Sequence, residues 1–344
     1  MDQEKKKNTG TKKRTVILVI CIVLAVLLVL VAAAWFVLDR MVFSRVGRIE
    51  DDYTLSEDEI AEIIGPGTDE ITVPSIPVDI IKPDEDVINI LLVGQDRREG
   101  QPRLHSDATI LCTINKNTKT LTMTSFMRDM WVKIPGYGEQ RINTTYMING
   151  FPLLNKTLEY NFGVSADYNV EVDFNGFITV VDRIGGLDLE LTEAEAKYLN
   201  KNGLWDVEPD LDWSLVEGVN HMDGKQALAY SRIRKIGDDF QRTQRQRIVL
   251  SKMIEKAKQL STAELYALVY DLIPMLSTDM SDAQILGLAV DLAPMLTELE
   301  IVSQRIPMDG QYSFANINGN EVITLSESNL RKARQLLTKT MKSE

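Results

Sequence analysis

The stretch VINILLVGQD, residues 87–96, opens the part of the chain that is expected to fold. Residues 87–93 are almost continuously apolar and rich in β-branched side chains, which indicates a strand buried on both faces. Gly94 allows a sharp turn directly after this strand, and Asp96 follows just beyond its end. Such a strand needs other elements packed against each of its faces.

The remaining sequence supplies those elements. The segment ATILCTINKNTKTLTMTSF, residues 108–126, predicts two strands around a polar turn. Helices are expected at 55–64, 152–161, 174–184, 193–200, 240–260, 262–276 and 281–297, followed by a strand, a turn and a helix over 304–342. This alternation predicts an α/β fold in which a mixed sheet is sandwiched by helices.

An unbroken apolar run occupies residues 16–38 and follows a cationic segment that ends at Arg14. As a helix, the run would be roughly 34 Å long, enough to cross the apolar core of a bilayer. The positive-inside rule puts the preceding charges in the cytoplasm. A cleaved signal peptide is the alternative, but its apolar core is shorter, and residues 35–38 continue this run.

Four regions are therefore expected along the chain. They are a cytoplasmic basic tail at 1–14, a transmembrane helix at 15–39, an acidic extracellular linker at 40–86 and a folded domain at 87–344. The linker carries scattered Pro and Gly among its acidic residues, which is typical of a spacer. This layout predicts a protein that crosses the cell membrane once and exposes its C-terminal domain outside the cell.

Composition excludes several classes of function. The chain has 38 Lys and Arg against 50 Asp and Glu, a formal net charge of −12, which argues against a nucleic-acid partner. Cys21 lies in the apolar run and Cys112 in a predicted strand, so no disulfide between them is expected. With only 2 histidines, the chain cannot build a histidine-rich metal site.

The segment SRIRKIGDDFQRTQRQR, residues 231–247, concentrates arginine in this acidic chain. The planar fork of arginine matches the oxygen atoms of phosphate or carboxylate. One stripe of the helix predicted from Phe240 onward carries Arg242, Gln246, Val249 and Met253. Arg242 and Gln246 should then face the inner side of the domain. Surface charge is the role expected for Lys235, Arg245 and Arg247.

Arg232 and Arg234 alternate with Ser231 and Ile233. In a strand or an extended loop, both guanidinium groups would project to one side. Together with Arg242, they predict a pocket for an anion. The alternative is a solvated run of charge with no binding role.

Two further groups of polar residues could contribute to such a pocket. Asp96 and Asp107 flank a loop between predicted strands, and paired carboxylates commonly hold Mg²⁺ beside a phosphate. Ordinary turn chemistry is the alternative for both. The pair Arg128–Asp129 directly follows a strand, at the kind of edge where α/β sites assemble, although it could equally be a surface ion pair. The segment RINTTY adds Arg141 and Asn143.

Several segments together resemble the LytR-CpsA-Psr family of bacterial cell-envelope proteins. They are NILLVGQDRR, SDATILCTIN, FMRDMWVKIPGYGEQRINTTY, VEVDFNGFITVVDRIGGLDLEL, DGKQALAYSRIRK and DDFQRTQRQR, and the likeness is clearest over 87–260. The resemblance implies an enzyme that moves a glycopolymer from an undecaprenyl-pyrophosphate carrier to a peptidoglycan hydroxyl. It also implies a phosphodiester product, Mg²⁺ as the cofactor and a domain outside the membrane.

The resemblance also implies roles for individual residues. Asp96 and Asp107 are expected to bind the metal ion. The expected catalytic residues are Arg128, Asp129, Arg232 and Arg234, and the expected substrate-binding residues are Arg98, Arg141, Asn143, Arg242 and Gln246. The sequence departs from the family pattern at Met127, Gln241 and Gly150–Phe151, and none of these departures removes a charged side chain.

A lipid carrier also needs an apolar groove. One stripe of the predicted helix at 174–184 carries Phe174, Phe177, Ile178, Val181 and Ile184, and it could line a groove or simply pack in the core. The sequence alone leaves two alternative functions open. One is a non-catalytic envelope receptor that binds lipid-linked pyrophosphates, and the other is a hydrolase that uses water as the acceptor.

Overall fold

The computed structural model describes residues 47–48, 55–64, 79–95, 105–204, 213–261, 263–265, 267–268 and 276–343. The chain divides into two compact units, Met1–Val46 and Gly47–Glu344, and the elements described below belong to the second. The predicted basic tail, the predicted transmembrane helix, most of the acidic linker, Asp96 and Arg98 lie outside the described residues. No helix within the described ranges is long and apolar enough to span a membrane.

The secondary structure alternates between strands and helices along the chain. The strands are β1 (Gly47–Arg48), β2 (Val87–Gly94), β3 (Ala108–Asn115), β4 (Thr120–Phe126), β5 (Trp131–Ile134), β6 (Gly138–Arg141), β7 (Tyr168–Val172), β8 (Leu187–Leu191), β9 (Gly218–Met222), β10 (Leu276–Thr278), β11 (Glu300–Ile306), β12 (Ser313–Ile317) and β13 (Asn320–Thr324). The helices are α1 (Glu57–Ile64), α2 (Thr144–Phe162), α3 (Phe174–Arg183), α4 (Glu193–Asn202), α5 (Gly224–Arg232), α6 (Asp239–Ala257), α7 (Asp282–Leu292) and α8 (Glu327–Thr340).

A central mixed sheet organises the domain. Its seven strands have the order β1-β10-β7-β2-β3-β4-β11. Strand β2 pairs antiparallel with β3 and parallel with β7, while β11 joins the far edge parallel to β4. Three two-stranded hairpins, β5–β6, β8–β9 and β12–β13, lie outside this sheet. The predicted mixed sheet is thus confirmed.

Helices pack on both faces of the sheet. On one face, Leu91 and Val93 of β2 are fully buried in a core that includes Phe162 of α2 and Leu337 of α8. A second core joins α3, α4, α5 and α6 to the β8–β9 hairpin. On this second side, alternate residues of β2 are only half-buried, and Leu92 among them lines a cavity. The strand therefore has one packed face and one face that borders a cavity.

The long helix of the arginine segment lies almost where it was predicted. Helix α6 spans Asp239–Ala257, and the Asp238 side chain accepts a hydrogen bond from the Gln241 backbone N–H at 2.9 Å. Asp238 therefore caps the helix, as aspartate commonly does. Asp239 is the first residue of the helix, and its side chain is free for other contacts.

Helix α2 begins earlier than the sequence predicted. Instead of starting near residue 152, it starts at Thr144 and contains non-helical backbone at Asn149 and Gly150. Gly150 has a φ of 52°, which glycine adopts without strain, and Pro152 follows two residues later. Proline has no backbone N–H to donate to a helical hydrogen bond, so the sequence around Pro152 predicted a helix only from residue 152 onward.

The C-terminal third departs further from the expected elements. Residues 276–278 form β10 against β7, although Leu276 was predicted to be the last residue of a helix. The helix expected at 281–297 ends at Leu292 and continues as a 3₁₀ helix over Ala293–Glu298, where Pro294 lies near its start. The β12–β13 hairpin stands between β11 and α8, where only a turn was expected.

Candidate functional site

A cavity of about 410 Å³ lies between the sheet and the helices of the second core. It is lined by apolar and aromatic side chains from three strands and four helices, among them Leu92, Ile110, Val170, Phe174, Phe177, Tyr198, Leu228, Leu250 and Met253. Its polar lining includes Gln95, Asp107, Asp173, Ser231, Arg232, Arg234, Arg242 and Gln246. These polar residues come from the place where β2 and β7 end, β3 begins, α5 ends and α6 begins. The cavity is thus apolar along its length and cationic at one end.

Helix α6 contributes both polar and apolar side chains to the cavity. Arg242 and Gln246 line it near the N-terminus of the helix, and Leu250 and Met253 line it further along. Val249, on the same stripe, is buried in the neighbouring core. The spacing in the sequence therefore identified the inward face of α6 correctly.

Arg232 and Arg234 both line the cavity, but the local structure differs from the predicted extended segment. Arg232 is the last residue of α5, and Ile233 ends that helix with a φ of −54° and a ψ of 122°. Ile233 is buried, so it anchors the chain between the two arginines. Arg232 is also held in place by Phe174, because its guanidinium carbon lies 4.4 Å from the centre of that ring.

Arg128 lies at the centre of a cluster of carboxylates beside the cavity. Its Nη1 is 3.2 Å from Oδ1 of Asp107, and its Nε is 3.5 Å from Oδ2 of Asp129. The same Nε is 3.4 Å from Oδ1 of Asp239, which in turn lies 2.8 Å from Nη2 of Arg242. One contiguous network therefore connects Arg128, which precedes β5, to Arg242 in the first turn of α6.

Asp239 is a member of this network that the sequence analysis did not identify as a site residue. Burial raises the pKa of its carboxyl group above the ordinary value, while the charges of Arg242 and Arg128 act in the opposite direction. Its position three residues before Arg242 places the two side chains on one face of a helix, and that spacing is the signal that could have identified it.

Two buried arginine nitrogens in the network make no hydrogen bond. Nε of Arg242 has no hydrogen-bond partner among the described residues, and Nε of Arg128 has only the ion-pair contacts with Asp239 and Asp129 at 3.4 and 3.5 Å. Burial lowers the pKa of Arg242 to about 10, so the guanidinium group remains charged at neutral pH. Buried donors without partners are costly. An anionic ligand could supply acceptors to this part of the site.

Arg141 and Asn143 border the same cluster. Nη1 of Arg141 is 3.6 Å from Oδ1 of Asp129. The backbone N–H of Asn143 donates to the carbonyl oxygen of Arg128 at 3.3 Å, and its buried side-chain oxygen has no donor among the described residues. Both predicted residues, Arg141 and Asn143, therefore lie next to Arg128 and Asp129.

The prediction that Arg245 and Arg247 are surface charges is wrong. Arg245 is 6% exposed and Arg247 is 7% exposed. Nε of Arg245 donates to Glu195 of α4 at 2.7 Å, and Nε of Arg247 donates to Ser303 of β11 at 2.7 Å. Elements distant in sequence cover α6 on more than one side, which its own periodicity could not reveal. Lys235 is exposed, as predicted.

The apolar stripe of α3 serves two purposes. Phe174 and Phe177 line the cavity, whereas Val181 and Ile184 are buried in the second core and Ile178 packs against that core. Both interpretations left open by the sequence therefore apply, each to a different part of the helix.

Asp107 is the only predicted metal ligand among the described residues, since Asp96 lies outside them. Its carboxylate lines the cavity next to the arginines. Carboxylate and phosphate oxygens are suitable ligands for Mg²⁺, so the chemistry of this residue fits one position in a magnesium site. Within the described ranges, no group of three or more His, Cys, Asp or Glu residues could hold a metal ion.

An α/β fold with an apolar cavity that ends in arginines defines a protein suited to an amphiphile with an anionic head. The chain belongs to the LytR_cpsA_psr family, whose model matches residues 64–339. The family resemblance seen in the sequence is thereby confirmed.

Relatives of known name support this assignment. The chain is 35% identical over 195 residues to the polyisoprenyl-teichoic acid–peptidoglycan teichoic acid transferase TagT of Bacillus subtilis (strain 168). It is 33% identical over 193 residues to the corresponding transferase TagU of Bacillus licheniformis. Each match covers 55% of this chain and 58% of the relative, so the chain spans little more than half the length of these proteins.

A solved structure confirms the fold. The LytR-CPS2A-psr family protein YwtF (TagT) with bound octaprenyl pyrophosphate lipid superposes with a TM-score of 0.58 and 27% sequence identity. The match covers 77% of this chain and 94% of that chain. That protein therefore shares the mixed α/β architecture and was found with a polyprenyl pyrophosphate.

Proposed function

We propose that this protein is an extracellular phosphotransferase anchored in the membrane. It transfers a glycopolymer from an undecaprenyl-pyrophosphate carrier to a hydroxyl group of peptidoglycan and forms a phosphodiester. The observation that carries the proposal is the continuity of the apolar cavity with Arg232, Arg234 and Arg242. A polyprenyl chain fits the apolar part, and a pyrophosphate fits the cationic end.

The arginines would bind the pyrophosphate and stabilise charge that develops during transfer. As the oxygen of the acceptor hydroxyl forms its bond to the phosphorus next to the sugar, its proton is lost to the surrounding water. The bond to the lipid phosphate breaks at the same time, and that phosphate leaves with added negative charge. Preorganised guanidinium groups stabilise such charge without reorganisation. Asp239 and Asp129 would hold Arg242 and Arg128 in position, since each carboxylate contacts its arginine in the network.

Mg²⁺ is proposed as the cofactor, with Asp107 and Asp96 as its protein ligands. Bound there, the ion would neutralise phosphate oxygens next to the arginines. Asp107 supports this role because it lines the cavity and contacts Arg128 at 3.2 Å. Arg98 is proposed as an additional substrate-binding residue.

The anchor would be the transmembrane helix predicted at 15–39, with residues 1–14 in the cytoplasm and the rest of the chain outside. The motivation is the cationic segment that precedes the run. Protease added to cells stripped of their wall should release the domain. Complete protection of the domain under those conditions would contradict the proposed topology.

Product analysis tests the activity. The purified full chain is incubated with a lipid-pyrophosphate-linked sugar, Mg²⁺ and a peptidoglycan glycan acceptor, and the products are identified by mass. A phosphodiester between sugar and acceptor is expected. Release of a free sugar phosphate would instead indicate a hydrolase, and tight binding of the donor with no turnover would indicate a receptor.

A further inference from the structure

The loop between α5 and α6, residues 233–238, carries Arg234 to the cationic end of the apolar cavity. Arg234 is exposed, and within the described part of the chain no hydrogen bond or ion pair holds its guanidinium group. By contrast, Arg232 lies over the ring of Phe174, and Arg242 is held by a carboxylate. The position of Arg234 therefore depends on the backbone of this segment, which is called the α5–α6 loop below.

Arg245 of α6 holds that backbone on both sides of Arg234. Its Nη1 donates to the carbonyl oxygen of Ile233 at 3.2 Å, and its Nη2 donates to the carbonyl oxygen of Ile236 at 3.3 Å. Arg245 is 6% exposed and is not among the residues that line the cavity. One guanidinium group thus connects two points of the α5–α6 loop and restricts the segment between them.

Glu195 of α4 orients the guanidinium group of Arg245. Its Oε1 accepts a hydrogen bond from Nε of Arg245 at 2.7 Å. Its Oε2 accepts from the backbone N–H and from the hydroxyl group of Thr192, each at 2.9 Å, in the capping box that begins α4. Because both carboxylate oxygens are engaged, Glu195 holds the planar fork of Arg245 in one orientation.

The far end of the α5–α6 loop also fits closely against α6. Gly237 has a φ of 135°, a conformation that residues with a side chain rarely adopt. A Cβ atom at this position would collide with Oε1 of Gln241, so the Gln241 side chain occupies the space beside the glycine. The loop is therefore fitted to α6 at Gly237 as well as at Ile233 and Ile236.

We propose that Glu195 and Arg245 are positioning residues for phosphate binding, which act through the backbone of the α5–α6 loop and place Arg234 at the cavity. Neither residue touches the ligand. This inference rests on the proposed function, in which Arg234 binds the pyrophosphate of the donor. A guanidinium group that is in place before the phosphate arrives binds it without the entropic cost of ordering the loop.

Calorimetric titration of the purified full chain with geranylgeranyl pyrophosphate and Mg²⁺ tests the proposal. Arg245→Lys keeps the charge beside Glu195 but lacks the planar fork that reaches both carbonyl oxygens. The dissociation constant of this variant should rise about tenfold, because Arg234 is no longer held in place. Arg234→Ala should raise it by about 10–100-fold, because the charge-assisted contact itself is lost.

A double variant separates positioning from a general loss of stability. If Arg245 acts through Arg234, then Arg245→Lys should change the dissociation constant by less than about twofold when residue 234 is already alanine. A general loss of stability would instead add to the effect of Arg234→Ala. Glu195→Gln should weaken binding less than Arg245→Lys does, and its effect should depend on Arg234 in the same way.

Arg247→Lys is the matched control. Arg247 lies on the same helix and is 7% exposed, and its Nε donates to Oγ of Ser303 at 2.7 Å, in β11 and not in the α5–α6 loop. Its replacement also disturbs a buried arginine of α6. The dissociation constant of geranylgeranyl pyrophosphate should nevertheless stay within about twofold of the wild-type value.

Hydrogen exchange followed by mass spectrometry examines the loop without any ligand. Arg245→Lys should accelerate exchange of the amides at 233–238 by about tenfold, because the loop opens more readily once it is no longer held at two points. Arg247→Lys should leave exchange in the same peptides at the wild-type rate.

Two outcomes of the titration would overturn the proposal. They are an unchanged affinity in Arg245→Lys, or an effect of Arg245→Lys that persists undiminished beside Arg234→Ala. If Arg245→Lys does not fold, Glu195→Gln with and without Arg234→Ala decides in the same way. Absence of binding to the wild type, together with the expected exchange in the loop, would contradict the proposed function but support the positioning role of Arg245.

Discussion

Arg242 and Arg245 lie three residues apart on α6 and are buried to almost the same extent, 3% and 6% exposed. Their surroundings nevertheless differ. Arg245 donates to Glu195 at 2.7 Å, to the Ile233 carbonyl at 3.2 Å and to the Ile236 carbonyl at 3.3 Å. Arg242 contacts Asp239, while its buried Nε has no acceptor among the described residues. Burial and residue type therefore do not distinguish these two arginines, whereas the hydrogen bonding of their guanidinium nitrogens does.

The carboxylates that pair with these arginines, Glu195 and Asp239, also differ from each other in the direction of their pKa shifts. Burial would raise the pKa of Glu195, but hydrogen bonds from Thr192 and the contact with Arg245 outweigh it and lower the pKa. For Asp239, burial dominates and raises the pKa. The Glu195–Arg245 pair thus stabilises the fold, and it also holds the loop after α5 that carries Arg234. The Asp239–Arg242 pair keeps charge buried beside the cavity at a cost in stability.

The largest expected effect is on stability at Arg245. Arg245→Met should lower the free energy of unfolding by about 3–5 kcal/mol, because Glu195 is left buried and unpaired. Urea unfolding followed by circular dichroism measures this loss. The double variant Arg245→Met, Glu195→Met is the control and should recover part of it. A loss of less than about 1 kcal/mol in the single variant would show that the pair is not structural.

Arg242→Lys should affect activity rather than stability. The substitution keeps the charge but removes the planar fork, so kcat for transfer should fall by about 10²–10³-fold. The free energy of unfolding should stay close to that of the wild type. Wild-type turnover in this variant would remove Arg242 from the group that stabilises the transferring phosphate.

Glu195→Gln should change how stability depends on pH. Since the folded-state pKa of Glu195 is lowered, its contribution is present above the unfolded pKa of about 4.3 and is lost as the pH falls through the folded pKa. The wild type should therefore exceed the variant by about 1–2 kcal/mol at pH 7 and lose this advantage in acid. Unfolding free energies measured from pH 7 down to acid test this, and a constant difference would contradict it.

Asp239→Asn should change the pH dependence of stability in the opposite direction to Glu195→Gln. A raised folded-state pKa means that stability is highest below the unfolded pKa, about 3.9, and falls as the pH rises through the folded pKa. The variant should lack that fall, and its stability relative to the wild type should increase with pH. A relative stability that decreases over the same range would place Asp239 with Glu195 as a stabilising carboxylate.

The smallest effect is expected at Lys235, an exposed cation in the same arginine segment. Lys235→Gln should change kcat by less than about twofold, because an exposed charge is screened by solvent. A decrease as large as that in Arg242→Lys would mean that the segment acts through its overall field and not through placed side chains.

Much of the sheet and of the arginine-lined end of the cavity could be predicted from local pattern. The apolar run of β2 and the polar turn between β3 and β4 are local signals, and the spacing of Arg242 and Gln246 reflects the turn of a single helix. The hairpin β12–β13 and the early start of α2 could not be predicted. Their formation depends on the rest of the domain and, in α2, on a kink that interrupts the periodicity.

The sequence by itself determined the α/β class, the family and the face of α6 that carries Arg242 and Gln246, because these follow from periodicity and from ordered motifs. Only the tertiary structure decided which arginines are satisfied. Glu195 precedes Arg245 by 50 residues, and Ser303 follows Arg247 by 56. The side chains that cover the two other faces of α6 are supplied by elements distant in sequence. The sequence of a helix does not show which elements pack against it. The hydrogen-bond partners of its buried charged side chains can therefore be identified only in the folded structure.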